Sequence, residues 1–381
     1  MILPGDAPES IAAAAQCIRT GGLLGLPTET VYGLAADADN AAAVAQIFVA
    51  KGRPADHPLI VHVANTTAAA HYAASIPDFA AALMSAFWPG PLTLILPRKP
   101  CVATAAAGGH DSIGLRCPAH PVALALLNQL LNGVTNNRGQ NPIHFRRDSK
   151  NPKQLESDPN YLGSVVWGLA APSANKFGRV SPTTAQHVAD EFGDDLRVLD
   201  GGPCRVGIES TIIDCTRGVP VLLRLGAITA VQIEVACGMK VLLKDELPAQ
   251  TAPAPKASGT LESHYAPRAR VRLMDATALQ AAVRELQTPT NPADRGSMDA
   301  PTCAARGHAT GVAVWSRTPL VARGAGVIAS AMPQDATAAA QQLFATLRAL
   351  DAQGVAQIWV ETLPPDTAWD GVRDRLQRAA H

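Results

Sequence analysis

Gly21 and Gly22 admit a short apolar run, Leu23-Leu24-Gly25-Leu26, and Pro27 stops it. A run of that length between such residues reads as a buried strand. Thr28, Glu29 and Thr30 then emerge at the strand's carboxyl end, the edge at which open α/β sheets usually bind ligands. Beyond them the spacing predicts a helix from about Asn40, a good N-cap, through Val44, Ile47 and Phe48 to Lys51. Gly52 is placed to end it in the left-handed conformation. Lys51 and Arg53 are thereby delivered beside the polar cluster. Taken alone, the two cations fit a solvated helix end favoured by the macrodipole.

The 381 residues exceed the usual size of one domain, so two are expected. Lys plus Arg number 32 and Asp plus Glu 32. Without net positive charge, a stable complex with nucleic acid is not expected, and anion binding has to be local. The seven Cys are scattered, with no Cys-x-x-Cys, which suggests neither a disulfide framework nor a zinc ribbon. With no apolar run near 18 residues and no basic-then-apolar start, the expected location is the cytoplasm, away from membranes.

Further strands are predicted at Leu59–Val63, Leu92–Leu96, Ser112–Arg116, Val165–Ala171, Leu196–Leu199, Ile212–Asp214 and Val221–Leu223. Helices are predicted at Pro8–Arg19, Asp78–Phe87, Pro121–Leu131, after Thr184, and from Thr229 to Gly238. His62 lies inside a strand, where a satisfied core residue is the commoner outcome. Cys117 has no His-containing motif near it and reads as inert. Residues 132–164 are polar, carry Arg138, Arg146, Arg147, Lys150 and Lys153, and read as a solvated insertion at the edge opposite the ligand crevice. Ser181-Pro182-Thr183-Thr184 fits both a phosphate cradle and an ordinary helix start. Thr30, Arg116, Ser173 and Arg224 each fall at or just after a predicted strand end, so one sheet is expected to gather them at one edge with Lys51 and Arg53. Neither a Walker loop nor a Gly-x-Gly-x-x-Gly is present.

Six ordered segments carry a resemblance: Leu26-Pro27-Thr28-Glu29-Thr30-Val31-Tyr32-Gly33-Leu34, Lys51-Gly52-Arg53-Pro54, Pro58-Leu59-Ile60-Val61-His62, Phe87-Trp88-Pro89-Gly90-Pro91-Leu92-Thr93, Ala171-Pro172-Ser173-Ala174-Asn175 and Gly207-Ile208-Glu209-Ser210-Thr211. Over about residues 8–240, apart from the insertion, the chain resembles the threonylcarbamoyl-AMP synthase family, whose catalytic unit is the YrdC-like domain. The resemblance implies an α/β fold with a twisted, open, mixed sheet. It also implies synthesis of threonylcarbamoyl-AMP and pyrophosphate from L-threonine, bicarbonate and ATP, with Mg²⁺, for a tRNA adenosine modification completed by other proteins.

By the same resemblance, Thr30, His62, Arg116, Ala171 through its backbone, and Ser210 would hold threonine, with Arg116 taking the carboxylate bidentately. Arg53, His57, Ser112, Ser173, Asn175, Ser181 and Arg224 would hold ATP. Lys51, with Arg53, would act on the reacting groups, bridging phosphate and carbamate. Glu29 is open between orienting the amine, holding Mg²⁺ and a structural hydrogen bond. His57 stands where Asn is common, Ser112 where Thr is frequent, and Leu225 where Pro follows the Arg.

The domains expected are 1–240, a linker or lid at 241–267, and a small Rossmann-like α/β domain at 268–381. Its strands are expected at Arg270–Met274, Val312–Trp315 and Gln357–Glu361, with helices at Ala278–Leu286 and Ala336–Leu350. His264-Tyr265-Ala266-Pro267 resembles the signature of the family's long form, in which the linker closes over the site and a Tyr touches the nucleotide; Glu262 occupies that position here. Two other functions fit a cationic cavity: an RNA-binding, translation-associated module, and a carbamoyltransferase of the hydrogenase-maturation type. The zinc-finger and acylphosphatase segments that accompany the latter are not visible in the chain.

Overall fold

A computed structural model describes residues 1–133, 165–247, 255, 259, 264–287, 311–320 and 327–381. Nearly all of the 132–164 stretch, most of the linker with Glu262, and residues 291–310 lie outside the described residues. The chain divides into two units, Met1–Leu261 and Glu262–His381.

In the first unit the strands are β1 (Ile2–Pro4), β2 (Leu24–Leu26), β3 (Gly33–Asp37), β4 (Ile60–Val63), β5 (Leu92–Pro97), β6 (Ser112–Arg116), β7 (Gly168–Ala170), β8 (Arg197–Asp200), β9 (Thr211–Asp214), β10 (Val221–Arg224) and β11 (Leu242–Leu243). The helices are α1 (Pro8–Arg19), α2 (Ala41–Lys51), α3 (Thr66–Tyr72), α4 (Asp78–Phe87), α5 (Pro121–Leu131), α6 (Ala185–Phe192) and α7 (Ala230–Cys237). The strands form one sheet in the order β1-β8-β2-β3-β7-β4-β6-β5-β9-β10-β11. It is mixed: β4 and β6 are parallel, whereas β7 runs against β4 and β5 against β6. Among the described residues no helix is long and apolar enough to cross a membrane.

This mixture corrects one expectation from sequence. With β4 taken as pointing up, β3, β6 and β10 also point up, while β2, β7, β5 and β9 point down. The carboxyl ends of β6 and β10, with Arg116 and Arg224, therefore lie at one end of the sheet. Those of β2 and β7, from which the chain leads to Thr30 and Ser173, lie at the other. Strand direction is set by pairing partners, and the one-edge expectation assumed that all four strands ran alike.

One sheet face is continuous core. Val61, Val63, Leu94, Leu96, Ile113 and Leu115 pack there with α2, α3 and α4. On the opposite face α1 and α5 cover only part of the sheet, packing on Leu24, Leu26, Ala35 and Leu169. Period-two alternation then leaves Ile60 and His62 of β4 and Ser112, Gly114 and Arg116 of β6 on the second face, beyond that cover. Ile60, Ser112 and Gly114 are half-buried there.

The second unit is a parallel sheet of β12 (Arg270–Met274), β13 (Val312–Ser316), β14 (Val327–Ala331) and β15 (Gln357–Glu361), ordered β12-β15-β13-β14. Its helices are α8 (Ala276–Gln287), α9 (Ala336–Ala352) and α10 (Asp370–Ala379). His264 and Tyr265 belong to this unit, where the Tyr265 ring contacts Phe344 with centroids 5.2 Å apart and the Arg375 guanidinium lies 5.6 Å from its centre.

The ends of the polar insertion are pinned together. Gly133 N and Val166 N both donate to Leu130 O, at 3.4 and 3.2 Å. Replacing residues 134–164 by a short Gly/Ser connection should leave the unfolding midpoint unchanged or raise stability by up to about 2 kcal/mol, because loop closure depends only weakly on length. Thermal unfolding of the shortened chain checks this, and a marked fall in midpoint would contradict it.

Candidate active site

Arg116 ends β6 and is 3% exposed. Its Nη1 donates to Thr30 Oγ1 at 2.8 Å and its Nε to Gly90 O at 3.2 Å. Its Nη2 makes a 2.6 Å ion pair with Glu29 Oε1, and Glu29 Oε2 accepts from the Ala119 amide at 3.0 Å. Glu29 is thus taken up in holding the guanidinium, the structural role among the three left open by the sequence. Thr30 and Glu29, a few residues past β2, meet Arg116 although β2 and β6 run in opposite directions.

The proton assignment at Thr30 follows from its neighbours. Thr28 Oγ1 lies 2.6 Å from Val31 O, which can only accept, so the Thr28 proton is spent there. The Thr30 hydroxyl then donates to Thr28 Oγ1 at 2.9 Å and accepts from Arg116. What Thr30 offers a ligand is an acceptor.

His62 is in register with Arg116 across the parallel β4–β6 pair, so the two side chains share a face. Burial first, and the Arg116 cation second, push its pKa down to about 3. A neutral imidazole results. Its Nδ1 is buried and makes no well-aligned hydrogen bond among the described residues, although the Ile60 backbone acts on the ring and offsets part of the shift. Nearby, Ser210 Oγ is 2.7 Å from Thr93 Oγ1 and accepts from Arg224 Nη2 at 3.0 Å, while Arg224 Nε donates to Ser210 O at 3.0 Å. Ser181 donates to Glu209 Oε1 at 2.6 Å.

The other end of the sheet holds Lys51. Asn40 caps α2 by accepting from Ala42 N and Ala43 N, and Gly52 closes it at φ 63°, as the sequence predicts. Lys51, 3% exposed, donates to Ser173 O at 2.5 Å and to Asn175 O. Burial first, then the charges of Arg53 and Lys176, hold its pKa well below the usual lysine range. Arg53 Nη2 donates to Pro58 O at 3.0 Å, and the His57 ring lies 5.8 Å edge-on from Phe177. Asn175 Nδ2 donates to Lys176 O and Arg179 O. Ala171 N donates to Ile60 O at 3.0 Å, and Ser173 bridges Gly33.

Contacts therefore unite Thr30 with Arg116, Ser210 with Arg224, and Lys51 with Ser173 and Asn175. Ser112 stands apart from all three, half-buried at the start of β6, on the face that leads to Arg116. Thr93, Thr28 and Glu209 were assigned no role from sequence, although each sits inside a motif that carried the resemblance. Burial raises the Cys117 thiol pKa to about 11, which disfavours the thiolate.

His62 generates a pH test. Its folded pKa lies below the ordinary 6.5, so the unfolded chain binds the extra proton and stability falls as pH drops from about 6.5 towards about 3. His62→Gln should flatten that fall by about 1.4 kcal/mol per pH unit. Urea unfolding of both proteins between pH 7 and 4 measures the difference; parallel curves would contradict a buried neutral imidazole.

A family model described as telomere recombination, Sua5/YciO/YrdC, matches residues 16–226, and one described as threonylcarbamoyl-AMP synthase, C-terminal domain, matches residues 228–381. The Pyrococcus abyssi threonylcarbamoyl-AMP synthase is 40% identical over 266 residues, covering 70% of this chain and 68% of the relative. The Schizosaccharomyces pombe threonylcarbamoyl-AMP synthase is 31% identical over 414 residues, covering 100% of this chain and 90% of its own. A crystal structure of P. abyssi Sua5 complexed with L-threonine matches with a TM-score of 0.74 at 32% identity, over 100% of this chain and 97% of that one. The chain belongs to the Sua5/YciO/YrdC family, in the form that carries the C-terminal domain of threonylcarbamoyl-AMP synthases.

Proposed function

We propose that this enzyme is a nucleotidyltransferase that joins L-threonine, bicarbonate and ATP into L-threonylcarbamoyl-AMP and pyrophosphate, the activated intermediate for threonylcarbamoyladenosine in tRNA. The observation that carries the proposal is the Arg116–Thr30 pair beside the neutral His62, at one end of a half-open strand face. Arg116 retains N–H groups not aimed at Gly90, Thr30 or Glu29, and these receive the amino-acid carboxylate. The acceptor on Thr30 and the Nδ1 of His62 face the substrate's amine and hydroxyl. Ser210 completes that end, and the Ala171 backbone, beside Ile60 further along the same stretch of sheet, is assigned to the amino acid as well.

Threonine's amine and bicarbonate give a carbamate and water. A carbamate oxygen then forms a bond to the α-phosphorus while the bond from that phosphorus to the bridging oxygen breaks, and pyrophosphate leaves with the electron pair. No side chain needs to become covalently attached, which agrees with the raised thiol of Cys117. Lys51 and Arg53 supply positive charge to phosphate and carbamate, and an arriving anion opposes the burial that lowers the Lys51 pKa. His57, Ser112, Ser173, Asn175, Ser181 and Arg224 are assigned to ATP.

Among the described residues no group of three or more His, Cys, Asp or Glu could hold a metal. The nearby carboxylates of Glu29 and Glu209 are engaged by Arg116 and Ser181. This donor set does not form a protein cage for Mg²⁺; the ion's place is on the nucleotide phosphates, and no step is routed through it.

Pyrophosphate release should require threonine, bicarbonate and ATP together. Release that persists without threonine or without bicarbonate would overturn the proposal. Arg116→Lys, which keeps the charge against Glu29 but loses the fork, should raise the threonine KM by about tenfold or more, with little change in the ATP KM. An unchanged threonine KM would remove Arg116 from carboxylate binding.

A further inference from the structure

Gly114 sits at the middle of β6, between Ser112 and Arg116 on the half-open face, with Ile113 and Leu115 buried behind it. Glycine weakens a strand interior, and there it often marks a place where a ligand or another backbone comes close. The usual structural reasons are missing at this position. Its φ is outside the left-handed region, unlike that of Gly52 or Gly178. A Cβ on Gly114 would meet Thr93 Cγ2 at 3.5 Å, Ile60 Cγ1 at 3.7 Å and Ile95 Cγ1 at 4.0 Å, all ordinary contacts. At Gly25, Gly33, Gly90 and Gly226, also of ordinary φ, a Cβ would come within 2.9, 3.1, 2.2 and 2.3 Å of a neighbour. Those four are small because the protein crowds them; Gly114 is not.

We propose that Gly114 is a specificity-determining position whose bare backbone is the floor for the reacting segment, where carbamate meets α-phosphorus. The inference rests on the synthase reading and deepens it. From Ser112 to Arg116 the strand advances about 13 Å, enough to lay an amino acid end to end with a nucleotide's first phosphate, and Gly114 is the midpoint. Ile60 and Ile95, in register on either side, make this stretch of floor apolar. A branched side chain at 114 would point its γ carbons away from the sheet, into the space the junction occupies. The floor therefore limits how closely the two reactants approach, without touching the groups that bind either end.

A graded series tests this in the full-length chain. Gly114→Ala adds one methyl and should cost less than about threefold in turnover, whereas Gly114→Val should cost tenfold or more. Valine suits a strand and meets no clash at Cβ, so the variant should keep its far-ultraviolet spectrum and unfolding midpoint. Threonine binding alone, followed by calorimetric titration, should stay within about twofold of the unaltered chain, since Arg116, Thr30 and His62 are untouched. A folded Gly114→Val with unaltered turnover would overturn the inference. Loss of threonine binding in parallel with turnover would also overturn it, by placing the block at the amino-acid end. If Gly114→Val does not fold, Gly114→Ser repeats the comparison with a smaller side chain. Pyrophosphate release by the unaltered chain in the same assay separates the two levels: if that release lacks its dependence on threonine and bicarbonate, the synthase reading fails first.

Discussion

A guanidinium 3% exposed is tolerable only when its surroundings replace the water it has lost, and Arg116 obtains that replacement from three other parts of the chain. Thr30 and Glu29 come from the loop after β2, the Gly90 carbonyl from the turn before β5, and Ala119 enters through Glu29. Each of those stretches is therefore held at the end of β6 by one side chain. The β2 loop shows the consequence: β2 and β6 run in opposite directions, and the loop's carboxylate and hydroxyl are nevertheless held against Arg116. Without that cation, Glu29 would be a buried carboxylate with only a single backbone amide to satisfy it.

The opposite edge solves a different electrostatic problem. Lys51 is buried, yet its hydrogen-bond partners are two carbonyls rather than a carboxylate, and Arg53 and Lys176 repel it, with Glu191 opposing them from a distance. Carbonyl dipoles orient an ammonium but do not cancel its charge. Arg116 has a carboxylate in direct contact, with Arg224 a further cation at that end, whereas at the Lys51 end Arg53 and Lys176 join Lys51 against the carboxylate of Glu191, and an anion would relieve the excess. A polyphosphate therefore gains more at the Lys51 end, and a zwitterionic amino acid, which brings both signs, is better matched to Arg116, Thr30 and His62. The polarity of the site thus follows from which partners each buried cation has.

Local features of this arrangement were legible in the sequence. Asn40 and Gly52 bracket α2 because a cap and a left-handed glycine act within a few residues, and Thr229 with Gln232 likewise opens α7 in a capping box. Features that depend on distant pairing were not. β1 is three residues with no period of its own, and it exists because Ile2 and Leu3 pair with Val198 and Leu199. β3, short and rich in Ala and Gly, is a strand through β2 and β7. Strand direction escaped the sequence for the same reason, so residues expected at one edge are divided between two. Thr93 and Ser210 are 117 positions apart, and their 2.7 Å contact has no local signature. The motifs supplied the candidate residues, and the sheet topology decided which of them meet.

The two faces of the sheet differ in how they are covered. Strands β4, β6, β5, β9 and β10 turn one set of side chains into the continuous core, and by alternation the other set faces the opposite way, where Ile95, Ile212, Val221 and Leu223 form a second buried cluster with Ile60 at its border. Over β2, β3 and β7 the helices α1 and α5 bury that second set. Their cover stops short of β4 and β6, where the second face carries the buried His62 and Arg116 and the half-buried Ser112 and Gly114, with Ile60 and Ile95 beside them. A larger apolar residue at 112 or 114 would improve the packing of an exposed sheet face, and at 114 the neighbours would accept at least a Cβ without displacement. That this strand instead carries a serine, a glycine and a buried cation on its open side, against leucine and isoleucine on its closed side, is a departure from best packing confined to one face. Such one-sided departure is what a strand shows when its second face packs against a substrate rather than against more protein.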